Sequence, residues 1–166
     1  MKTIYSKFQL GDMWALYLLD TESNLCGLAL LPDGYQDKLV MDGWWNIEPV
    51  VQMKLAGDPY PGGFINGQSL KNSETAGGLK FKTQTVEAGR EKRIITTLEN
   101  NGVEAKHILE YTEGATFMKM YSEVCSMREE PVILEMLSSF NLCAFSGLSA
   151  DLRMEDFVLQ DRKSVV

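Results

Sequence analysis

The chain has 166 residues, a formal net charge of −7 and 45% hydrophobic residues, which is typical of one globular domain. No apolar run approaches the ~20 residues that cross a bilayer, and the N-terminus lacks the apolar core of a secretory signal, so we expect a cytoplasmic protein with no membrane partner. The excess of acidic side chains disfavours a nucleic-acid partner, because the phosphate backbone repels them.

The first half of the chain predicts short strands and one long loop. Apolar runs at 13–19 and 25–31 are separated by a polar turn, and a third run covers 50–55. The segment 56–78 is rich in glycine and proline and is longer than an ordinary connection, and such loops are often functional. Its Gly62–Ser69 stretch nearly matches a phosphate-binding loop, but Gln68 replaces the lysine. We therefore interpret it as a glycine-rich loop.

The second half alternates apolar and polar residues with a period of two, which indicates half-buried strands. Asn100, Asn101 and Gly102 tolerate positive φ and predict a tight hairpin between two of these strands. The spacing of the strands predicts an all-β, antiparallel β-sandwich that forms a single domain over residues 1–166. The predicted strands of this half cover 79–86, 94–98, 103–111, 116–126 and 132–142.

Few residues of the chain are suited to metal or redox chemistry. His107 is the only histidine and lies on the apolar face of its predicted strand, so we expect a core residue bonded to a neighbour. The three cysteines, Cys26, Cys125 and Cys143, are widely spaced in apolar runs and predict buried free thiols of a reducing compartment. We expect no metal and no cofactor.

Loop residues offer two kinds of candidate site. The acids Asp33, Asp37, Asp42 and Asp58 could form an acid–base pair, but the sequence gives no distance between them, and we assign no catalytic residue. Aromatic rings beside polar side chains suit a sugar, because its C–H face stacks on a ring while its hydroxyls form hydrogen bonds. Buried packing of the paired tryptophans at the sandwich end is the alternative. The candidate sugar-binding residues are Trp44, Trp45, Asp58, Tyr60 and Phe64.

Two motifs resemble a known family. Residues 51–64 read VQMKLAGDPYPGGF and 67–73 read GQSLKNS, while 130–140 read EPVILEMLSSF. These stretches resemble the N-terminal domain of family 36 glycoside hydrolases, the retaining α-galactosidases. With the hairpin at 100–102, the resemblance covers most of residues 50–145.

The resemblance implies a galactose mutarotase-like β-supersandwich that precedes a (β/α)₈ barrel, and the barrel of that family carries both catalytic aspartates. We therefore expect an N-terminal, non-catalytic piece of a larger enzyme, because a barrel needs at least ~200 further residues. The implied partners are that barrel, an α-galactoside and further copies in a homo-oligomer. An independent carbohydrate-binding module, with Trp44, Trp45 and Tyr60 as a stacking platform, is the alternative.

Overall fold

The computed structural model describes residues 1–43, 45–59 and 73–144. Within these ranges the chain is almost entirely antiparallel β-sheet, with one five-residue helix. The predicted all-β, sandwich-like class is confirmed. The elements are β1 (Lys2–Leu10), β2 (Met13–Asp20), β3 (Cys26–Pro32), β4 (Met53–Leu55), α1 (Glu74–Gly78), β5 (Lys80–Glu87), β6 (Glu91–Asn100), β7 (Val103–Thr112), β8 (Lys119–Ser126) and β9 (Leu134–Leu137).

Two large sheets face each other across the main core. One has the order β1-β2-β3 and the other has the order β5-β6-β7-β8, while β4 and β9 form a separate pair. Alternate residues of each large sheet point inward, so that Tyr17 and Leu28 from the first meet Leu98 and Leu109 from the second in one buried cluster. Burial of each such side chain contributes about 1.5–3 kcal/mol, which makes this interface the main source of stability.

The three-stranded sheet is buried on both faces, which explains why its central strand shows no alternation. On β2, Tyr17 faces the main core, whereas Leu16 and Leu18 face a second cluster on the other side of the sheet. Trp45, Ile47 and other side chains from the segments that follow β3 and β9 cover that second face. A strand whose two faces are both buried has apolar residues at successive positions rather than at every second one.

Side-chain and backbone contacts close the two lateral sides of the sandwich. On one side the rings of Tyr5 and Phe81 lie 4.6 Å apart between their centroids. On the other side Val50 N donates to Cys26 O, and Cys143 N donates to Leu28 O, both at 2.8 Å. These bonds pair the free edge of β3, which would otherwise leave its backbone groups open to strand addition.

The predicted hairpin is confirmed. Asn100 pairs with Val103, so Asn101 and Gly102 form a two-residue turn, and both have positive φ, 46° and 74°. This is the conformation of a type I′ turn, whose twist matches that of the flanking strands. The turn fixes the register of β6 against β7.

Several elements differ from their predictions. β1 was not expected, because a bulge between Ile4 and Ser6 interrupts its alternation and leaves Ile4 and Tyr5 exposed side by side. The strands predicted at 50–55 and 132–142 shorten to β4 and β9, and the one predicted at 116–126 begins at Lys119. The helix α1 lies where only loop was expected; Ser73 Oγ accepts from Ala76 N at its N-terminus, a standard cap.

No helix in the described ranges has the length and apolar character that a membrane span requires.

Candidate functional site

The structure describes two of the five candidate sugar-binding residues. Trp44, Tyr60 and Phe64 lie outside the described residues. Trp45 is only 5% exposed and its Nε1 donates to Val40 O at 2.7 Å, while Lys2 Nζ lies 4.1 Å from the ring centroid. Trp45 thus packs in the second core, the alternative that the sequence left open for the paired tryptophans.

Asp58 has a structural role in the turn that follows β4. Its Oδ2 accepts from Leu55 N at 2.9 Å, and its Oδ1 accepts from the Thr75 hydroxyl at 2.8 Å. Its own N–H donates to Leu55 O at 3.1 Å. The carboxylate thus closes a tight turn and joins that turn to α1, and each of its oxygens accepts a hydrogen bond from the chain itself.

Asp58 lies in the wall of a groove of about 510 Å³ at the end of the sandwich where β6 turns into β7. We call it the hairpin-end groove. Four parts of the chain form it: the turn after β4, the start of α1, the tip of the β6–β7 hairpin and the segment between β8 and β9. Its lining falls in 55–59, 74–75, 100–101, 128 and 130–133.

Hydrogen bonds between these parts make the groove a preformed surface. Asn100 Nδ2 donates to Thr75 O at 3.1 Å, and Arg128 Nε donates to Asn101 O at 2.8 Å. Gly78 lets Asn100 approach α1, because a Cβ on Gly78 would come within 2.8 Å of Asn100 Cγ. The hairpin tip is therefore held against α1 on one side and against Arg128 on the other.

Two of the other loop acids, Asp33 and Asp37, have partners of their own. Asp33 N donates to Asp12 O beside the β1–β2 turn, which is the opposite end of the sandwich, and its Oδ1 accepts from Trp14 Nε1 at 2.8 Å. Asp37 forms an exposed ion pair with Lys7, at 3.0 Å.

His107 is a core residue, as predicted. It is fully buried, and the Tyr17 hydroxyl from the facing sheet lies 3.3 Å from its Nδ1. Its Nε2 has no hydrogen-bond partner in the part of the chain that the structure describes. Burial lowers the pKa of His107 to about 4, because an imidazolium would lose its hydration in the core. The ring is neutral at pH 7 and sealed from the groove.

The cysteine prediction holds for two of the three residues. Cys26 and Cys143 are buried free thiols, and burial raises the pKa of Cys143 to about 11. For Cys125 the prediction was wrong: this thiol is exposed, because Val124 takes the inward position at the end of β8. No group of three His, Cys, Asp or Glu side chains within the described ranges could hold a metal ion.

Arg93 belongs to the basic stretch 90–93 of the sequence, and its charge is paired within the four-stranded sheet. Arg93 on β6 forms ion pairs with Glu87 at 2.7 Å and with Glu110 at 2.9 Å, and the Tyr121 hydroxyl donates to Glu110 at 2.8 Å. These partners lie on neighbouring strands of the outer face. Such partly exposed pairs contribute little stability each.

Replacing Asp58 with alanine is expected to lower the free energy of unfolding by about 1–3 kcal/mol, because it leaves the Leu55 N–H and the Thr75 hydroxyl without their acceptor. Urea denaturation of the two proteins measures the difference. Asp37→Ala is the matched control, since it removes only an exposed ion pair and should change stability little. Equal effects of the two variants would contradict the structural role of Asp58.

Comparison of the chain with protein-family models, with curated proteins and with solved structures found no match in any of the three. The functional proposal therefore depends on the residues of this chain and on the motifs that resemble the glycoside hydrolase domain.

Proposed function

We propose that the chain is a non-catalytic β-sandwich domain of an α-galactosidase-like retaining glycoside hydrolase. The observation that carries the proposal is the meeting of the two motifs on which the resemblance depends. The first contributes β4 and the second contributes β9, and Met53 pairs with Leu137 in an antiparallel bridge. Ser138 N donates to Gln52 O at 2.8 Å, which extends this pairing. Segments some eighty residues apart in sequence thus form one structural unit.

The chemistry of the described residues is consistent with a supporting role. The best-placed loop carboxylate, Asp58, holds a turn and a helix together. The single histidine is buried between the sheets and cannot exchange protons with a substrate in the groove. In this proposal the two catalytic aspartates belong to a barrel domain, against which the sandwich packs and whose substrate entry it shapes.

The proposal includes the setting in which this domain works. The barrel is its first partner, an α-galactoside is the substrate of the whole enzyme, and the enzyme is a cytoplasmic homo-oligomer. The free thiols support a reducing compartment, since Cys125 is exposed and unpaired among the described cysteines.

The purified chain is expected to give no turnover of an aryl α-galactoside above the buffer blank, because the bond-breaking carboxylates lie elsewhere in the enzyme. An intact α-galactosidase serves as the positive control for the assay. Turnover that copurifies with the chain and is abolished by Asp58→Asn or Glu130→Gln would contradict a non-catalytic role.

The coding sequence downstream of residue 166 provides an independent test. We expect it to continue into a long region of alternating strands and helices, the pattern of a (β/α)₈ barrel. A stop codon directly after residue 166, with no barrel gene beside it, would contradict the proposed parentage.

A further inference from the structure

The hairpin-end groove is preorganised by bonds that leave part of its polar lining unused. Its walls are fixed by three hydrogen bonds: Thr75 donates to Asp58, Asn100 donates to Thr75, and Arg128 donates to Asn101. A ligand that enters it would meet groups that are already ordered, so that binding would lose little conformational entropy.

Several hydrogen-bonding groups in this groove have no partner among the described residues. Within the described ranges the side chain of Arg128 donates only from Nε, so both terminal nitrogens of its guanidinium remain available. Glu74 and Glu130 belong to the lining of the same groove, and their carboxylates form no ion pair or hydrogen bond within the described ranges. The lining of the groove therefore includes one residue with free donors and two residues with free acceptors.

An apolar flank lies beside these polar groups. Pro59, Pro131 and Ile133 contribute to the lining, and Ile133 is 70% exposed. An apolar flank next to separate donors and acceptors suits a ligand that has a C–H face and several hydroxyls. The lining carries three carboxylates, those of Asp58, Glu74 and Glu130, against the one guanidinium of Arg128, so an anion would face net repulsion. An uncharged ligand needs no counter-charge and can use the donors and the acceptors together.

We propose that the hairpin-end groove binds a neutral carbohydrate, with Pro131 and Ile133 against the C–H face of a pyranose ring. Arg128 donates to ring hydroxyls, and Glu74 and Glu130 accept from them. The site uses no tryptophan and differs from the aromatic platform predicted from the sequence. It goes beyond the supporting role proposed above and does not depend on it.

Titration of the ¹⁵N-labelled chain with galactose, glucose and raffinose, followed by amide chemical shifts, tests this inference. We expect saturable shifts with a millimolar Kd at the amides of Gly57 and Asn101, which line the groove, and none at Gly11 or Gly89 at the other end. Inorganic phosphate, the anionic probe, should give no saturable shift at these groove amides.

Variants locate the binding surface. Arg128→Ala and Glu130→Gln should each weaken sugar binding about tenfold, the usual effect of losing one charge-assisted hydrogen bond. Glu130→Gln should leave the fold intact, since the Glu130 side chain forms no hydrogen bond or ion pair in the described ranges. Arg90→Ala, an exposed arginine at the opposite end, is the matched control and should leave the Kd unchanged.

Three outcomes would overturn the inference: no saturable shift with any sugar, saturable binding of phosphate alone, or sugar binding that both groove variants leave unchanged. Each is distinguishable from failure of the proposed function, which is decided by turnover and by the coding sequence.

Discussion

Replacing Gly27 with alanine is expected to lower the free energy of unfolding by about 3 kcal/mol, at the upper end of the usual cost of overpacking. A Cβ at this position would lie 2.7 Å from Cys143 Sγ and 2.9 Å from both Glu48 O and Ile47 Cγ2. One of these atoms is a backbone carbonyl, which cannot move away without displacing the segment that covers the three-stranded sheet. Urea denaturation followed by circular dichroism measures the loss.

Two further variants show whether crowding is the cause. Gly77→Ala places the same methyl group in α1, where nothing lies within 4 Å of the new Cβ, and should be neutral or slightly stabilising. The double variant Gly27→Ala/Cys143→Ala removes the thiol from the crowded site and should cost less than the sum of its parts. Strict additivity of the two changes, or an equal loss in Gly77→Ala, would contradict the close packing of these segments.

The strands were predictable where the residue pattern of the sequence matches the alternation of buried and exposed side chains in the sheet. β7 alternates apolar and polar residues along its length, β6 is rich in β-branched residues, and an Asn-Gly turn joins them, so residue pattern, length and turn chemistry agree. β1 was missed because its bulge brings Ile4 and Tyr5 together on the exposed side, which removes the alternation. Strand lengths at β4 and β9 depend on the partner that each finds, and composition carries no information on that partner.

The candidate site was much less predictable, because its residues come from distant parts of the chain. Asp58 was selected from loop composition as a possible sugar ligand, but its role depends on Thr75, whose position follows from a helix that the sequence did not suggest. Arg128 and Asn101 were not selected. A signal for them existed: if β7 pairs with β8 so that Val103 faces Ser126, the turns at 101–102 and 127–131 must meet at one end of the sandwich.

Stability is expected to fall by about 2 kcal/mol between pH 7 and pH 5, because His107 binds a proton more readily in the unfolded chain than in the folded one. Its ordinary pKa is 6.5, and burial lowers the pKa in the folded protein to about 4. Between these two pH values unfolding takes up a proton. The stabilisation that the neutral ring provides is therefore complete above pH 6.5, and the free energy of unfolding decreases by about 1.4 kcal/mol per pH unit down to pH 4. Urea denaturation at pH 7, 6 and 5 measures this slope.

His107→Asn is the matched control, since its amide is neutral throughout this range and can still bond to the Tyr17 hydroxyl. Its stability should change by less than about 0.5 kcal/mol between pH 7 and pH 5, because no other described group with a lowered pKa titrates there. The pKa values of Glu104 and Glu110 are lowered by side-chain hydrogen bonds to Lys82 and Tyr121, so these carboxylates lose their protons below the window. If the variant showed the same slope, another group would be responsible for it. His107 would then have the same pKa in the folded and the unfolded chain, which would mean that water reaches the core around Tyr17 and His107.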